Sequence, residues 1–447
     1  MPTDAIQHYH SLLTPALAAD SQERLDEQQK RRGIGFGDKL LCNVLRPRFL
    51  SLDEYRFIRR RVRLLMAACA KVHAATLADA GFRRQFRLTA EEEELFGIDP
   101  GYACPMPAAR LDAFLTDGVL KFTEFNAETP AAASYLDELS DVFMNLPIMA
   151  AFARRYDAVH QPVRPGSLNA LLEVWKQWSG STRLPRIAIL DWKEVPTYHE
   201  FVLWRDYMAK QGIEARIVDP REAGFAGGKL VAPGGPIDLI YKRVLIGELV
   251  ERGGMGHPVF QALRARAVCM SNPLRCKPLY KKAALSVLSD EANAPLFSAD
   301  ERDAIGEHIP WTRVFEERRT TFGSQGIDLV PWTLANKDRL VLKPNDDYGG
   351  KGIVLGWTVD QAKWEEAVRV ALSVPYIVQD RIALPSEPFP AFVDGKLHVG
   401  ERMLDTAPYV TMGDYVEGCL TRIATDPLLN VTAGGGSTVP TFVIEER

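Results

Sequence analysis

Apolar and polar positions along this 447-residue chain change period several times, and each change marks an element. Over residues 1–85 the pattern reads as helical. Ser51-Leu52-Asp53-Glu54 predicts an N-cap with acids in the first turn, opening a basic, periodic helix that ends near Ala78. Residues 108–126 predict two short strands joined by Thr116-Asp117-Gly118. A three-residue loop with Gly last is a common hairpin connection, and it sets Leu115 against Val119. Opposed residues then sum to an even number, so Arg110, Asp112, Glu124 and Asn126 share one face. Thr129-Pro130 predicts the next helix start, a cap followed by Pro at the first helical position. That helix runs to about Asn145 and is stopped by Pro147.

The texture changes after residue 186. Arg186–Asp191 is a buried strand pattern, followed by a helix at about 197–211 and a second strand over Glu214–Asp219. A turn at Gly227-Gly228, a short strand near Leu230-Val231 and another over Ile237–Tyr241 complete a parallel α/β unit. No GxGxxG follows the first strand, so a dinucleotide fingerprint is absent. Farther on, a helix is expected from Pro278 through PLYKKAALSVLSDE. Strands are expected at Leu340–Lys343, Ile353–Gly356 and Tyr376–Asp380, with a helix at about 359–372. The organisation expected is a helical region at 1–85, a segment carrying the hairpin at 86–165, the α/β unit at 186–265 and a last region at 270–447. There is no internal repeat and no low-complexity tract.

Composition narrows the function classes. Hydrophobic residues at 46% and charged residues at 25% are ordinary for a globular protein. A net charge of −4 gives no electrostatic case for nucleic acid or an anionic membrane. No apolar run has the 18 or more residues of a membrane span, and the first 20 residues lack the pattern of a secretory signal. The six cysteines (42, 69, 104, 269, 276, 419) form no CxxC pair, and the eight histidines are dispersed. A reducing cytoplasm is the expected compartment, and the oligomeric state is left open.

Three segments carry candidate chemistry. Asp112, Glu124 and Asn126 are oxygen donors converging on one strand face, which suits a hard cation such as Mg²⁺ carrying nucleotide phosphates; the alternative is a solvated hairpin. The expected helix start at Thr129–Ser134 lies beside them, where an anion is favoured, although a plain cap is an equal reading. Arg339–Lys343-Pro344 ends an apolar strand in a lysine, and the loop Asn345-Asp346-Asp347-Tyr348-Gly349-Gly350-Lys351-Gly352 follows. Its glycines would let backbone N–H groups approach phosphates while Lys343 neutralises charge, though strand–Gly loop–strand is common without any ligand. This is not the GxxxxGK[ST] loop. Tyr376–Arg381 is an apolar strand ending in Gln379 and Asp380, in the position of an adenine-binding hinge.

A helical lysine, strand–Lys–Pro–Gly loop–strand and an adenine hinge, in that order, resemble the ATP-grasp fold. The Glu-x-Asn that ordinarily follows the hinge is here far upstream, at Glu124-Phe125-Asn126. That order resembles the circularly permuted ATP-grasp branch typified by glutathionylspermidine synthase and its uncharacterised relatives. Arg110-Leu111-Asp112 is similar to that family's Arg-x-Asp strand. Glu124–Glu128 resembles its Glu-Tyr-Asn-Ala-Asp, and Lys281-Lys282-Ala283-Ala284-Leu285 its Asn-Lys-Ala-Ile-Leu. The tail, Gly418–Arg422 and Asn430–Gly436, looks like the end of the relatives with no assigned substrate. Two departures stand out. The Gly loop is longer than the family's Gly-Arg-Glu-Gly, and no N-terminal cysteine amidase domain is seen. Both put polyamine and glutathione substrates in doubt.

The resemblance implies an α/β, permuted ATP-grasp fold with a Rossmann-like pre-grasp unit and a helical N-terminal region. It implies an ATP- and Mg²⁺-dependent ligase joining a small-molecule or peptide carboxylate to an amine through an acyl phosphate. It assigns Asp112, Glu124 and Asn126 to Mg²⁺. Lys282 (with Lys281 the other register), Lys343, Gly349, Gly350, Lys351, Gly352, Gln379 and Asp380 go to the nucleotide. Arg110 goes to transition-state charge, with Arg422 a second candidate whose alternative is a structural ion pair. A phosphotransferase would share every one of these residues, and a non-catalytic nucleotide-binding protein is the third class.

Overall fold

The hairpin forms, but through a tighter turn than the spacing suggests. The computed structural model describes residues 2–347, 349–428 and 436–447, and in it Thr116 faces Val119 across the two-residue loop Asp117-Gly118. Both loop residues have positive φ, 50° and 78°, as a type I′ turn requires. Pairing is therefore one residue out of the expected register from Thr116 to Ala113. A bulge at Thr123 then shifts the pairing by one residue more, which restores the expected facing though not the expected partners, so that Asp112 opposes Glu124 and Arg110 opposes Asn126. The four polar residues still share one face.

Strands Ala108–Thr116 and Val119–Asn126 do not stand alone. Arg110 pairs with Tyr409, which joins the hairpin to Ala407–Thr411, Tyr415–Ala424, Lys396–Leu404 and Ser386–Val393 in one antiparallel sheet. Facing it is a smaller antiparallel sheet in the order Thr312–Val314, Tyr376–Asp380, Leu340–Pro344, Val354–Leu355. The α/β unit is a four-stranded parallel sheet in the order Cys269–Ser271, Leu239–Lys242, Ile187–Leu190, Ala215–Val218.

One apolar cluster ties these parts together. It includes Ile58, Val62 and Leu65 of the helix Leu52–Ala78, Leu111, Phe122 and Phe125 of the hairpin, Leu190 and Ile240 of the parallel sheet, and Leu285 and Leu288. Ser51 and Glu54 cap the long helix reciprocally, as expected.

Three expectations need correction. The region 1–85 is not wholly helical: Gly35–Phe36 pairs with Lys39–Leu40, and Arg48–Ser51 is a strand lying parallel to Thr441–Glu446. The helix after Thr129-Pro130 begins only at Ala133. Ala132 occupies the cap position with φ 76°, a left-handed conformation that helical backbone cannot continue through, and it is Glu200 Oε1, from a distant helix, that accepts from the first-turn Ser134 N–H at 3.4 Å. The helix expected from Pro278 is two, Lys277–Tyr280 and Ala283–Ser289. Lys281 turns extended between them (ψ 136°) because Asn345 takes the backbone N–H of Lys282 on its carbonyl and that of Ala283 on its side chain.

Candidate active site

The two antiparallel sheets enclose a cavity of about 290 Å³. Arg110, Asp112, Glu124 and Arg422 line it from the larger sheet, with Lys343, Gln379 and Asp380 from the smaller one and Gly349 and Gly350 from the loop. Val341, Ile353, Leu355, Trp357, Ile382 and Leu384 form an apolar flank. Nine of the residues expected at the site, some of them hundreds of residues apart, therefore meet at one place, whereas Asn126, Lys282, Lys351 and Gly352 are not on its lining.

Asp112 is the electrostatic centre. Arg110 donates to it twice, Nε to Oδ1 at 2.8 Å and Nη2 to Oδ2 at 3.2 Å, and Arg422 Nη2 adds 2.7 Å. Burial opposes its charge, yet attraction to Arg110 and Arg422 outweighs that and holds the carboxyl well below the usual carboxylate range. Arg422 is in turn gripped by Asp405, through Nε and the backbone N–H, both at 2.6 Å. Asp405 carries no sequence signal of its own. The two arginines differ in access. Arg110 is nearly buried, with its third nitrogen donating to Ala131 O at 2.9 Å; the Arg422 side chain is 29% exposed.

The lysines also sort by contact. Lys281 is engaged by Asp346 at 2.6 Å and Glu92 at 2.8 Å, in a buried network completed by Lys277, Glu128 and Lys242. Lys282 donates to Asp347 O at 2.6 Å and approaches Glu124 at 3.5 Å. Lys343 donates to Gln379 Oε1 at 2.7 Å and lies 3.4 Å from Thr123 O, the bulge residue. Burial lowers its pKa to about 8, with Glu124 acting against that shift and Lys282 with it.

Gln379 thus serves Lys343 with its oxygen and Thr312 Oγ1 with its nitrogen at 2.9 Å. The Asp380 carboxylate is paired with Arg339 at 3.1 Å. Gly349, Gly350 and Gly352 all have positive φ, and a Cβ at Gly352 would meet Pro344 and Tyr376. Lys351 is exposed at the loop tip. Tyr348, and residues 430–435 of the Asn430–Gly436 motif, lie outside the described residues.

The donor set of Asp112, Glu124 and Asn126 fits a hard cation. All three are oxygen-bearing side chains on one strand face and Glu124 is 26% exposed, while Asp112, whose two oxygens accept from Arg110 and Arg422, would exchange a guanidinium contact for the ion. Among the described residues no three His, Cys, Asp or Glu converge as a metal cluster, so the amide is needed to complete this set. No helix among them is long and apolar enough to cross a membrane.

No family model matches this sequence, and no curated protein is similar to it. Among solved structures, a glutathione synthetase-like effector from Globodera pallida, in its apo form, is similar over 96% of this chain and 98% of its own, with TM-score 0.60 and 13% identity. The fold is ATP-grasp-like. A putative gamma-glutamylcysteine synthetase from Methylobacillus flagellatus KT aligns more loosely, with TM-score 0.40 and 12% identity over 81% of this chain and 82% of that one.

Proposed function

We propose that the chain is an ATP-dependent carboxylate–amine ligase built on a circularly permuted ATP-grasp frame. The observation that supports this most is the meeting of Lys343, Glu124 and the Arg110–Asp112–Arg422 cluster around one half-apolar cavity, with Lys282 3.5 Å from Glu124. Permutation is supported by the ladder that joins residues 108–126 to strands beyond residue 386. The α/β unit before Lys282 takes the place of a pre-grasp domain in this reading.

ATP enters as a substrate, its base against the apolar flank and its phosphates toward Lys282 and Lys343. Asp112, Glu124 and Asn126 would hold Mg²⁺, which supplies charge neutralisation at the phosphoryl oxygens. The substrate carboxylate attacks the γ-phosphorus, ADP leaves, and an amine then displaces phosphate from the acyl carbon. Arg422 is the better placed of the two arginines to meet the transferring group, because Arg110 is nearly buried and holds Asp112. Arg110 then positions Asp112 and Arg422 rather than touching substrate. The helix start at Ala133 borders the cavity through Ala131 and Ala132, but Glu200 already accepts from its Ser134 N–H, which speaks against a substrate carboxylate there.

The decisive experiment is incubation with Mg-ATP, pools of carboxylates and amines, and hydroxylamine as a trap. The ligase predicts ADP and phosphate release, amide product and, with hydroxylamine, a hydroxamate. A phosphorylated product without amide would instead make the protein a phosphotransferase.

Two expected results follow from the cavity itself. Mg-ATP at 100 times its Kd adds about 2.7 kcal/mol to stability. Thermal melts at millimolar nucleotide should therefore move upward, and no Mg²⁺-dependent shift would remove the nucleotide assignment. The second result concerns pH. Lys343 is cationic below its value of about 8 in the free protein, and phosphate favours that form. Affinity for the nucleotide is therefore highest below pH 8 and falls as pH rises through it. Lys343→Ala should weaken binding and flatten this profile, as titration calorimetry across pH 6.5–9 would register.

A further inference from the structure

A second cavity, of about 690 Å³, lies between the helices Leu52–Ala78 and Arg164–Ser179 and the turn joining Ala407–Thr411 to Tyr415–Ala424. It shares no lining residue with the nucleotide cavity. Its wall includes Tyr55, Arg59, Trp175, Lys176, Met412 and Glu417.

Glu417 is the telling group. Strand Tyr415–Ala424 carries one residue too many between the pairs Val410↔Val416 and Pro408↔Cys419, so Glu417 sits in a bulge. Bulges re-aim side chains beside binding sites. Two glycines make room for it. A Cβ at Gly166 would overlap the Glu417 carboxylate, and one at Gly418 would overlap Gln161 O. The residue is only 4% exposed, and its Oε2 has no hydrogen-bond partner. The other oxygen accepts from Gly166 N–H, which leaves half the carboxyl unsatisfied inside the protein.

The groups around Glu417 do not repair this. From the helix Ala133–Met144 comes Asp137, itself a buried carboxyl; Arg164 is held by Asp137 and Glu138. Tyr55 donates to the Glu417 backbone carbonyl, at 3.2 Å, and Tyr207 stands farther off. Burial, and after it the charge of Asp137, pushes the Glu417 carboxyl up to about 8. A ligand that brought a positively charged donor to Oε2 would satisfy the orphan oxygen and ionise the carboxyl.

The rest of the wall has the opposite character. Arg59, whose guanidinium lies 5.7 Å from the Tyr55 ring centre, and Lys176 have no carboxylate partner among the described residues. Glu173 on the same rim is engaged by Gln177, and Arg183 by Asp238. Tyr55, Trp175 and Met412 supply apolar surface to the same wall. We propose that this cavity binds a short zwitterionic peptide, its ammonium on Glu417 and its carboxylate toward Arg59 and Lys176. Gly166, beside Glu417, and Lys176 are ten residues apart on one helix, about 15 Å, too far for a single amino acid to bridge.

The test uses the full chain without nucleotide and L-alanyl-L-phenylalanine as the probe, by titration calorimetry at pH 7 in phosphate and in Tris. Binding is expected with release of a proton from Glu417, visible as a buffer-dependent heat. N-acetyl-alanyl-phenylalanine, which lacks the ammonium, and the dipeptide amide, which lacks the carboxylate, should each bind about tenfold or more weaker. Glu417→Gln keeps an acceptor for Gly166 N–H, and it should weaken the dipeptide similarly and abolish proton release. Arg59→Ala/Lys176→Ala, on the rim, should weaken the dipeptide but not its amide. Equal binding of the acetylated probe, undiminished proton release in Glu417→Gln, or no binding at about 5 mM dipeptide would overturn the proposal. The probe comparisons run on the unmodified protein, so they decide the matter even if Glu417→Gln fails to fold. A failed ligase assay leaves them untouched.

Discussion

Asp112→Asn will lose both stability and turnover, whereas Glu124→Gln will lose turnover alone. Asp112 is 5% exposed and is the carboxylate between two guanidiniums. Removing its charge leaves Arg110 buried beside Arg422 with only Asp405 to compensate. Breaking a buried pair costs about 3–5 kcal/mol, and the partial exposure of Arg422 argues for the lower end. In a chain of this length that corresponds to a Tm drop of roughly 3 °C. Glu124 has a 26% exposed side chain and faces Lys282 at 3.5 Å, so its charge contributes little to folding. Under the proposed ligase reading both substitutions should lower ADP release by on the order of 10² or more. Calorimetric melts paired with ADP-release assays separate the effects. Identical melting of Asp112→Asn and the unmodified protein would mean that the arginine cluster is not held by this carboxylate.

A chain starting at about residue 165 will be insoluble. It retains Lys282, Lys343 and the strand Tyr376–Asp380 but loses the hairpin, and with it the ladder partner of Ala407–Thr411. It also loses Leu111, Phe122 and Phe125 from the main core, each worth on the order of 1.5–3 kcal/mol when buried. Losses of that size exceed the 5–15 kcal/mol that holds an ordinary domain together once the helix Leu52–Ala78 is gone as well. Expression and sedimentation of the shortened chain would decide the point. A soluble, monomeric product that binds Mg-ATP like the full chain would show that the first third is a separable domain and would refute the permuted reading.

What could be read from the sequence was local. The face shared by Arg110, Asp112, Glu124 and Asn126 was legible because strand period is strict, yet it survived a wrong turn only through the bulge at Thr123. Nothing near Thr123 announces a bulge. The break at Lys281 was invisible because its cause, Asn345, is more than sixty residues away and acts by hydrogen bonds. Arg48–Ser51 was taken into a helical region because its partner, Thr441–Glu446, lies at the far end of the chain. The apolar strand Tyr376–Asp380 was legible; the engagement of Gln379 by Lys343 and Thr312 was not, since it depends on register between strands. Ala132 gave no warning of a left-handed conformation, which is set by the packing of Ala131 O against Arg110 and Tyr409.

The pairing of residues 108–126 with strands beyond residue 386 also fixes when the protein can finish folding. On a ribosome adding residues at roughly 5–20 per second, the hairpin emerges tens of seconds before Ala407–Thr411. Through that interval its free strand edge waits for a partner not yet made. Nascent chains of this protein are therefore natural clients for a holding chaperone, and slowing translation would raise their demand for one.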